Sequence, residues 1–218
     1  MRRGRASSLH NNGLRVYVIP YPLSVIASPQ QVKTWTVHGL WPKLRNDCNN
    51  SWHFSWEKIK SLEKQLETSW PNLNCKTKKR SLWEHEWQKH GTCATTFKAT
   101  NNEFHYFQKT LSLNSVAAFN PQKALEKAGI TPSCKKAYPI QAIKNAVIKY
   151  FRIKDYLRMD CAMQRYPETN TSRTLLMSIY IPLSKTFNVT TLPYQYTQSC
   201  QPGDKVYIFP VHDVYCSK

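Results

Sequence analysis

Apolar and polar positions change their period along this chain, and the changes predict its elements. Leu14–Ile19 reads as a short strand inside an otherwise irregular opening, residues 1–31. Val32–His38 is rich in β-branched and aromatic residues and predicts a second strand, ended by Gly39 and Pro42. The pattern then becomes helical. Trp56, Ile59, Leu62, Leu66 and Trp70 recur at steps of three or four, predicting a helix over Ser55–Trp70 that Pro71 stops. Further helices are predicted over Leu82–Lys89, Asn102–Leu111, Pro121–Ala128 (with Gly129 as its cap) and Gln141–Phe151. Two late strands follow, Thr174–Ile181 and Lys205–Phe209. Helices in the middle with strands at both ends predict an α+β fold, helices packed on a mainly antiparallel sheet. The chain divides into an atypical leader, 1–31, and a single domain, 32–218.

Composition narrows the class. A formal net charge of +18 over 218 residues attracts polyanions, so nucleic acid and anionic surfaces lead the candidate partners. Seven cysteines suit an oxidising compartment, and none forms a C-x-x-C pair. Asn49, Asn170 and Asn188 each open an Asn-x-Ser/Thr acceptor, which favours a secreted, extracellular glycoprotein. No apolar run approaches the ~18 residues of a membrane span, so no membrane partner is expected; nor is a signal peptide evident.

The chemistry concentrates in Trp83-Glu84-His85-Glu86-Trp87-Gln88-Lys89-His90-Gly91-Thr92-Cys93. On an ideal helix, His85 at about 0°, Lys89 at about 40°, Glu86 at about 100° and His90 at about 140° share one arc. Trp83 and Trp87 flank it. The competing reading is a zinc site, but the histidines are five apart rather than four, and Lys89 between them would repel a dication. No metal or cofactor is expected. A second stretch, Thr36-Val37-His38-Gly39-Leu40-Trp41-Pro42, places a histidine at a strand end before a Trp-Pro turn.

These two stretches closely resemble the active-site blocks of the T-two family of endoribonucleases, in particular its plant S-ribonuclease and S-like types. The resemblance runs from about Val32 to Pro210 and is strongest up to residue 93. It implies a metal-independent enzyme that cuts single-stranded RNA through a 2′,3′-cyclic phosphate, acting as a monomer. Two histidines suit that chemistry: one takes the proton of the 2′-hydroxyl and one protonates the leaving 5′-oxygen. The resemblance makes His90 the base and His38 the acid, an assignment the sequence would equally allow in reverse. Glu86 and Lys89 would stabilise the phosphorane and His85 would bind phosphate. Trp41 and Trp83 are the candidates for contact with substrate, Trp41 by stacking on a base. The resemblance implies bridges Cys48–Cys93 and Cys161–Cys200, leaves Cys134 and Cys216 able to pair, and leaves Cys75 single. The alternatives are a catalytically impaired RNA-binding relative, or a self-incompatibility role. The basic loop Lys76, Lys78, Lys79 and Arg80 is a candidate for steering RNA to the helix behind it.

Overall fold

The computed structural model describes residues 14–19 (by their backbone), 35–42, 46–73, 77–115, 119–154, 157–166, 169–190 and 199–210. Its centre is a four-stranded antiparallel sheet in the order β2-β1-β5-β4. The strands are β1 (Leu14–Ile19), β2 (Thr36–Pro42), β4 (Arg158–Tyr166) and β5 (Thr171–Leu183). A separate pair joins β3 (Tyr138–Pro139) to β6 (Lys205–Val206). This is the α+β architecture expected from the pattern.

The leader reading fails at one point. Residues 14–19 are not outside the domain but form an interior strand, bonded to β2 on one side and β5 on the other. A strand bonded along both edges is held by its backbone ladder. Strand β2 also runs on through Gly39 to Pro42 instead of ending there. It lies at the sheet's edge, where a proline's missing N–H costs no ladder bond. The sequence reading overlooked β4, the other edge strand, which mixes Arg158, Asp160 and Gln164 with an exposed Met163.

The helices are α1 (Trp56–Ile59), α2 (Glu63–Ser69), α3 (Ser81–Glu86), α4 (Thr92–Ala94), α5 (Glu103–Leu113), α6 (Gln122–Lys127) and α7 (Ile140–Phe151). The single helix expected over Ser55–Trp70 is split by a 3₁₀ turn, Lys60–Leu62. Ile59 and Leu62 are three apart, the period of a 3₁₀ turn, and the tighter winding buries both. Asn102 caps α5 by accepting the His105 amide. The helices close a core in which Trp70, Trp83, Trp87, Tyr106 and Phe107 are fully buried. Each indole among them has a carbonyl for its N–H: Trp70 donates to His38 O, Trp83 to Trp70 O and Trp87 to Trp52 O. The first of these bonds ties the core directly to the backbone of His38.

Candidate active site

The site forms where the edge strand β2 meets the segment Ser81–Ala94. Along β1 and β2, Tyr17 faces Gly39 and Val18 faces Val37, so His38 is the extra residue of a bulge. A bulge re-aims the side chain it carries. Here it turns His38, 30% exposed, towards Glu86, with Nε2 at 3.5 Å from Glu86 Oε1.

The second block is not one α-helix. After α3 the chain winds as a π-helix over Trp87–Gly91, with the Thr92 amide bonded to Trp87 O, before α4 closes it. On an ideal α-helix, residues five apart diverge by about 140°. In a π turn a residue five along lies over its predecessor. His85, on the last turn of α3, and His90, in the π turn, lie 6.5 Å apart between ring centroids. Gly91 is required for this winding, because a Cβ there would meet the Trp87 ring. The disulfide Cys48–Cys93 and the Asp47 amide donating to Lys89 O pin the segment to the loop after β2.

Trp41 sits between the two blocks. Its N–H donates to Glu86 Oε2 at 2.7 Å, and its ring stacks on His90 at 4.5 Å and 24°. The His38 ring meets it edge-on at 5.4 Å. Gly39 makes the arrangement possible, since a Cβ at that position would collide with Glu86 Oε2 and Trp41 Nε1. Behind the site the buried Tyr106 hydroxyl donates to Leu40 O and Glu86 O, joining strand to helix.

Burial governs the charges. Glu86 is completely buried, and desolvation pushes its carboxyl up to about 8 against the opposing pull of the Trp41 N–H and the Lys89 ammonium. Desolvation, reinforced by His85 and Lys89, lowers His38 to about 4. The same effect, reinforced by Lys89, His85 and His38, lowers His90 to about 3. His85 is exposed; its pKa is lowered by desolvation and by Lys89, with Asp47 opposing. Without a ligand at neutral pH the site thus holds two neutral imidazoles and a protonated carboxyl. An entering phosphate anion would stabilise the imidazolium forms and raise both histidines.

The structure gathers His38, Glu86, His90 and Trp41, with His85 beside His90 and Lys89 at the same centre. It does not bring Trp83 to the cleft. Trp83 is 1% exposed, stacked on Trp56 and bonded to Trp70 O, so its expected role in substrate contact gives way to one in the core. Trp41 has one face committed to His90 rather than open to a base. Gly39, Trp70 and Tyr106 were not foreseen as parts of the site; a glycine directly after the histidine of the first block was the one available signal. In the basic loop Lys79 pairs with Glu63 and Glu67, and Arg80 lies over the Trp56 ring. Cys161–Cys200 is present as expected, and Cys134 is disulfide-bonded. Its expected bridge to Cys216, and the expectation that Cys75 is single, lie outside the described residues. Among the described residues no three His, Cys, Asp or Glu side chains group as a metal site would need.

The chain is similar to known proteins over most of its length. Residues 21–200 match the model of the Ribonuclease T2 family, the T-two family that the two blocks resemble. Ribonuclease Oy of Magallana gigas is 36% identical over 208 residues, covering 88% of this chain and 94% of that protein. Ribonuclease T2 of Sus scrofa is 33% identical over 175 residues, 79% of this chain and 84% of that protein. The crystal structure of human RNase T2 superposes with a TM-score of 0.74 at 28% identity, covering 91% of this chain and 98% of that one. These animal proteins support the family without marking the narrower plant type. The chain belongs to the Ribonuclease T2 family and is an RNA-cleaving endoribonuclease.

Proposed function

We propose that His38 and His90 perform the proton transfers of a metal-independent transphosphorylation on single-stranded RNA. The observation that supports this most is that the strand bulge and the π turn bring both histidines against one Trp41 ring, whose N–H and the His38 ring both meet the Glu86 carboxyl. His90 acts as base. Its Nδ1 is buried with no hydrogen-bond partner among the described residues, leaving Nε2 to serve substrate. The neutral ring takes the 2′-hydroxyl proton as the 2′-oxygen attacks phosphorus. His38, charged once phosphate has entered, gives its proton to the 5′-oxygen as the P–O5′ bond breaks. The products are a 2′,3′-cyclic phosphate and a free 5′-hydroxyl. Glu86, kept protonated by burial, donates to a phosphate oxygen without repelling it, Lys89 neutralises the charge gathering on the phosphorane, and His85 binds the phosphate.

The disulfides suit a secreted or lysosomal protein, and no described helix is long and apolar enough to cross a membrane. An extracellular, monomeric glycoprotein is the narrower reading, and Asn49, Asn170 and Asn188 are all exposed as acceptors must be. Incubation of the purified protein with RNA in excess EDTA tests the chemistry. Oligonucleotides ending in 2′,3′-cyclic phosphate are expected, with DNA of the same sequence untouched because it lacks the nucleophile. Activity abolished by EDTA and restored by zinc would overturn the reading.

A further inference from the structure

Trp41 has a further neighbour that the reaction as written does not use. Tyr180, on β5, meets the edge of the Trp41 indole at 6.1 Å and 65° from across β1. The phenol is fixed in turn. Its hydroxyl donates to Asp160 Oδ2 at 2.6 Å, and the Arg158 guanidinium lies over its ring at 4.2 Å. Arg158 also donates to both oxygens of Asp160, from Nε at 3.3 Å and Nη2 at 2.8 Å. The Ser199 amide donates to Asp160 Oδ1, and Ser199 is next to Cys200, which is bridged to Cys161 beside Asp160. The β4–β5 ladder slips by one residue here: Asp160 faces Ser178 and Cys161 faces Leu176. Bulges of this kind accompany active sites because they redirect side chains. Tyr180 is only 4% exposed, so burying a phenol with this many fixed partners leaves its ring little freedom.

We propose that Tyr180, clamped by Arg158 and Asp160, is a positioning residue that holds the Trp41 ring against His90 and its N–H on Glu86. Trp41 touches His38, Glu86 and His90, so a shift of its ring moves all three at once. Catalytic geometry is sensitive to displacements of about 1 Å. Strand β5 supplies a support that does not depend on the Ser81–Ala94 segment. Loosening it admits water beside His90, whose ionisable neighbours among the described residues include His38, His85 and Lys89. Relief of desolvation then raises the His90 pKa towards its ordinary value.

The test uses Tyr180→Phe, which removes only the hydroxyl bond, and Tyr180→Leu, which removes the ring. Both are read in the full chain by kcat and KM per folded molecule, by Tm, and by NMR titration of the His90 ring proton. The expected result is a kcat lowered several-fold in Tyr180→Phe and on the order of tenfold or more in Tyr180→Leu. KM should stay within about twofold, and the His90 midpoint should move upwards in the same order. If Tyr180→Leu does not fold, Tyr180→Phe alone decides. A parental kcat, a change confined to KM or Tm, or a lowered kcat with an unmoved His90 titration would each overturn the proposal. The proposal rests on the two-histidine reading, but the titration reports the seat of Trp41 without requiring activity. A failure of His90 as base would appear instead as an active His90→Ala enzyme.

Discussion

At the residue scale, the proposed mechanism gives His38 and His90 one proton transfer each, so His38→Ala and His90→Ala should each lower kcat by on the order of 10²–10⁴. His85→Ala should act mainly on KM, because an exposed ring beside His90 can bind phosphate without exchanging a proton with the reacting oxygens. Near-normal turnover in either of the first two variants would remove that residue from the mechanism. The lowered histidines also set the pH dependence. The proposed mechanism needs His90 neutral and His38 protonated, and since burial lowers both groups well below the ordinary histidine value, that combination in the free enzyme is most populated in acid. A kcat/KM optimum well on the acid side of neutrality is therefore expected, with the kcat optimum higher because bound phosphate raises both groups. Glu86 leaves a separate mark on stability. Its folded pKa is raised, so between the usual carboxylate range and about 8 the folded state holds a proton that the unfolded state has lost. Stability therefore falls as pH rises through that window. The two histidines act oppositely, since the unfolded chain binds their protons first as pH drops below about 6.5. Between about 6.5 and 8 only the Glu86 effect remains of the three, and Tm should decline there. Glu86→Gln should flatten that decline, and a parental slope in that variant would refute the assignment.

The elements decide whether those residues meet. A bulge in β2, a π turn after α3 and a glycine at 39 together bring His38, Glu86 and Trp41 into contact. Gly39→Ala should therefore be far worse than an ordinary glycine-to-alanine change in a strand. Its methyl would occupy the place of the Glu86–Trp41 hydrogen bond, so activity should fall at least tenfold even where far-UV circular dichroism shows the fold retained. The Cys48–Cys93 bridge closes a 45-residue separation and fixes the far end of the catalytic segment. Replacing both cysteines by serine should cost about 2–5 kcal/mol, read from denaturant unfolding. Loss of kcat should accompany it, since the π turn would be free to relax to α winding. The two-block reading of the sequence found these elements but not their irregularities. Periodicity needs several repeats to register, and a single inserted residue within a seven-residue strand or a five-residue turn leaves too few on either side to show where it falls.

For the whole molecule, a formal charge of +18 makes RNA capture electrostatic. On single strands the logarithm of affinity should fall against the logarithm of salt concentration with a slope of about −0.7 per phosphate contacted. DNA oligonucleotides should accordingly inhibit RNA cleavage at low salt without being cut, and the inhibition should fade as salt rises. Salt-independent inhibition would mean that contacts other than charge dominate. Part of the basic surface is already engaged internally: Lys79 with Glu63 and Glu67, Arg158 with Asp160, and Arg173 over Tyr166 and Tyr207. The net charge already deducts the carboxylate partners, but only charges on the face that meets RNA contact phosphates, so the slope should report fewer contacts than the net charge.

The sequence by itself determined the chemistry and the class of fold. His38, His85, Glu86, Lys89 and His90 stood out as candidates because their types and spacing within two short blocks are chemically restrictive. The helices were legible because their apolar faces repeat at steps of three and four. Only the tertiary structure decided which tryptophan serves the site. Trp41 and Trp83 both stand beside histidine blocks, yet the first lies between His90 and Glu86 and the second is buried against Trp56. It also decided that residues 14–19 belong to the centre of the sheet. Strand pairing is a contact between segments far apart in the chain, Val16 with Leu40 and with Ile181, and no local pattern encodes such a partner. The same holds for Tyr180, an ordinary strand residue in the sequence, which acquires its place beside Trp41 only when β5 is laid next to β1.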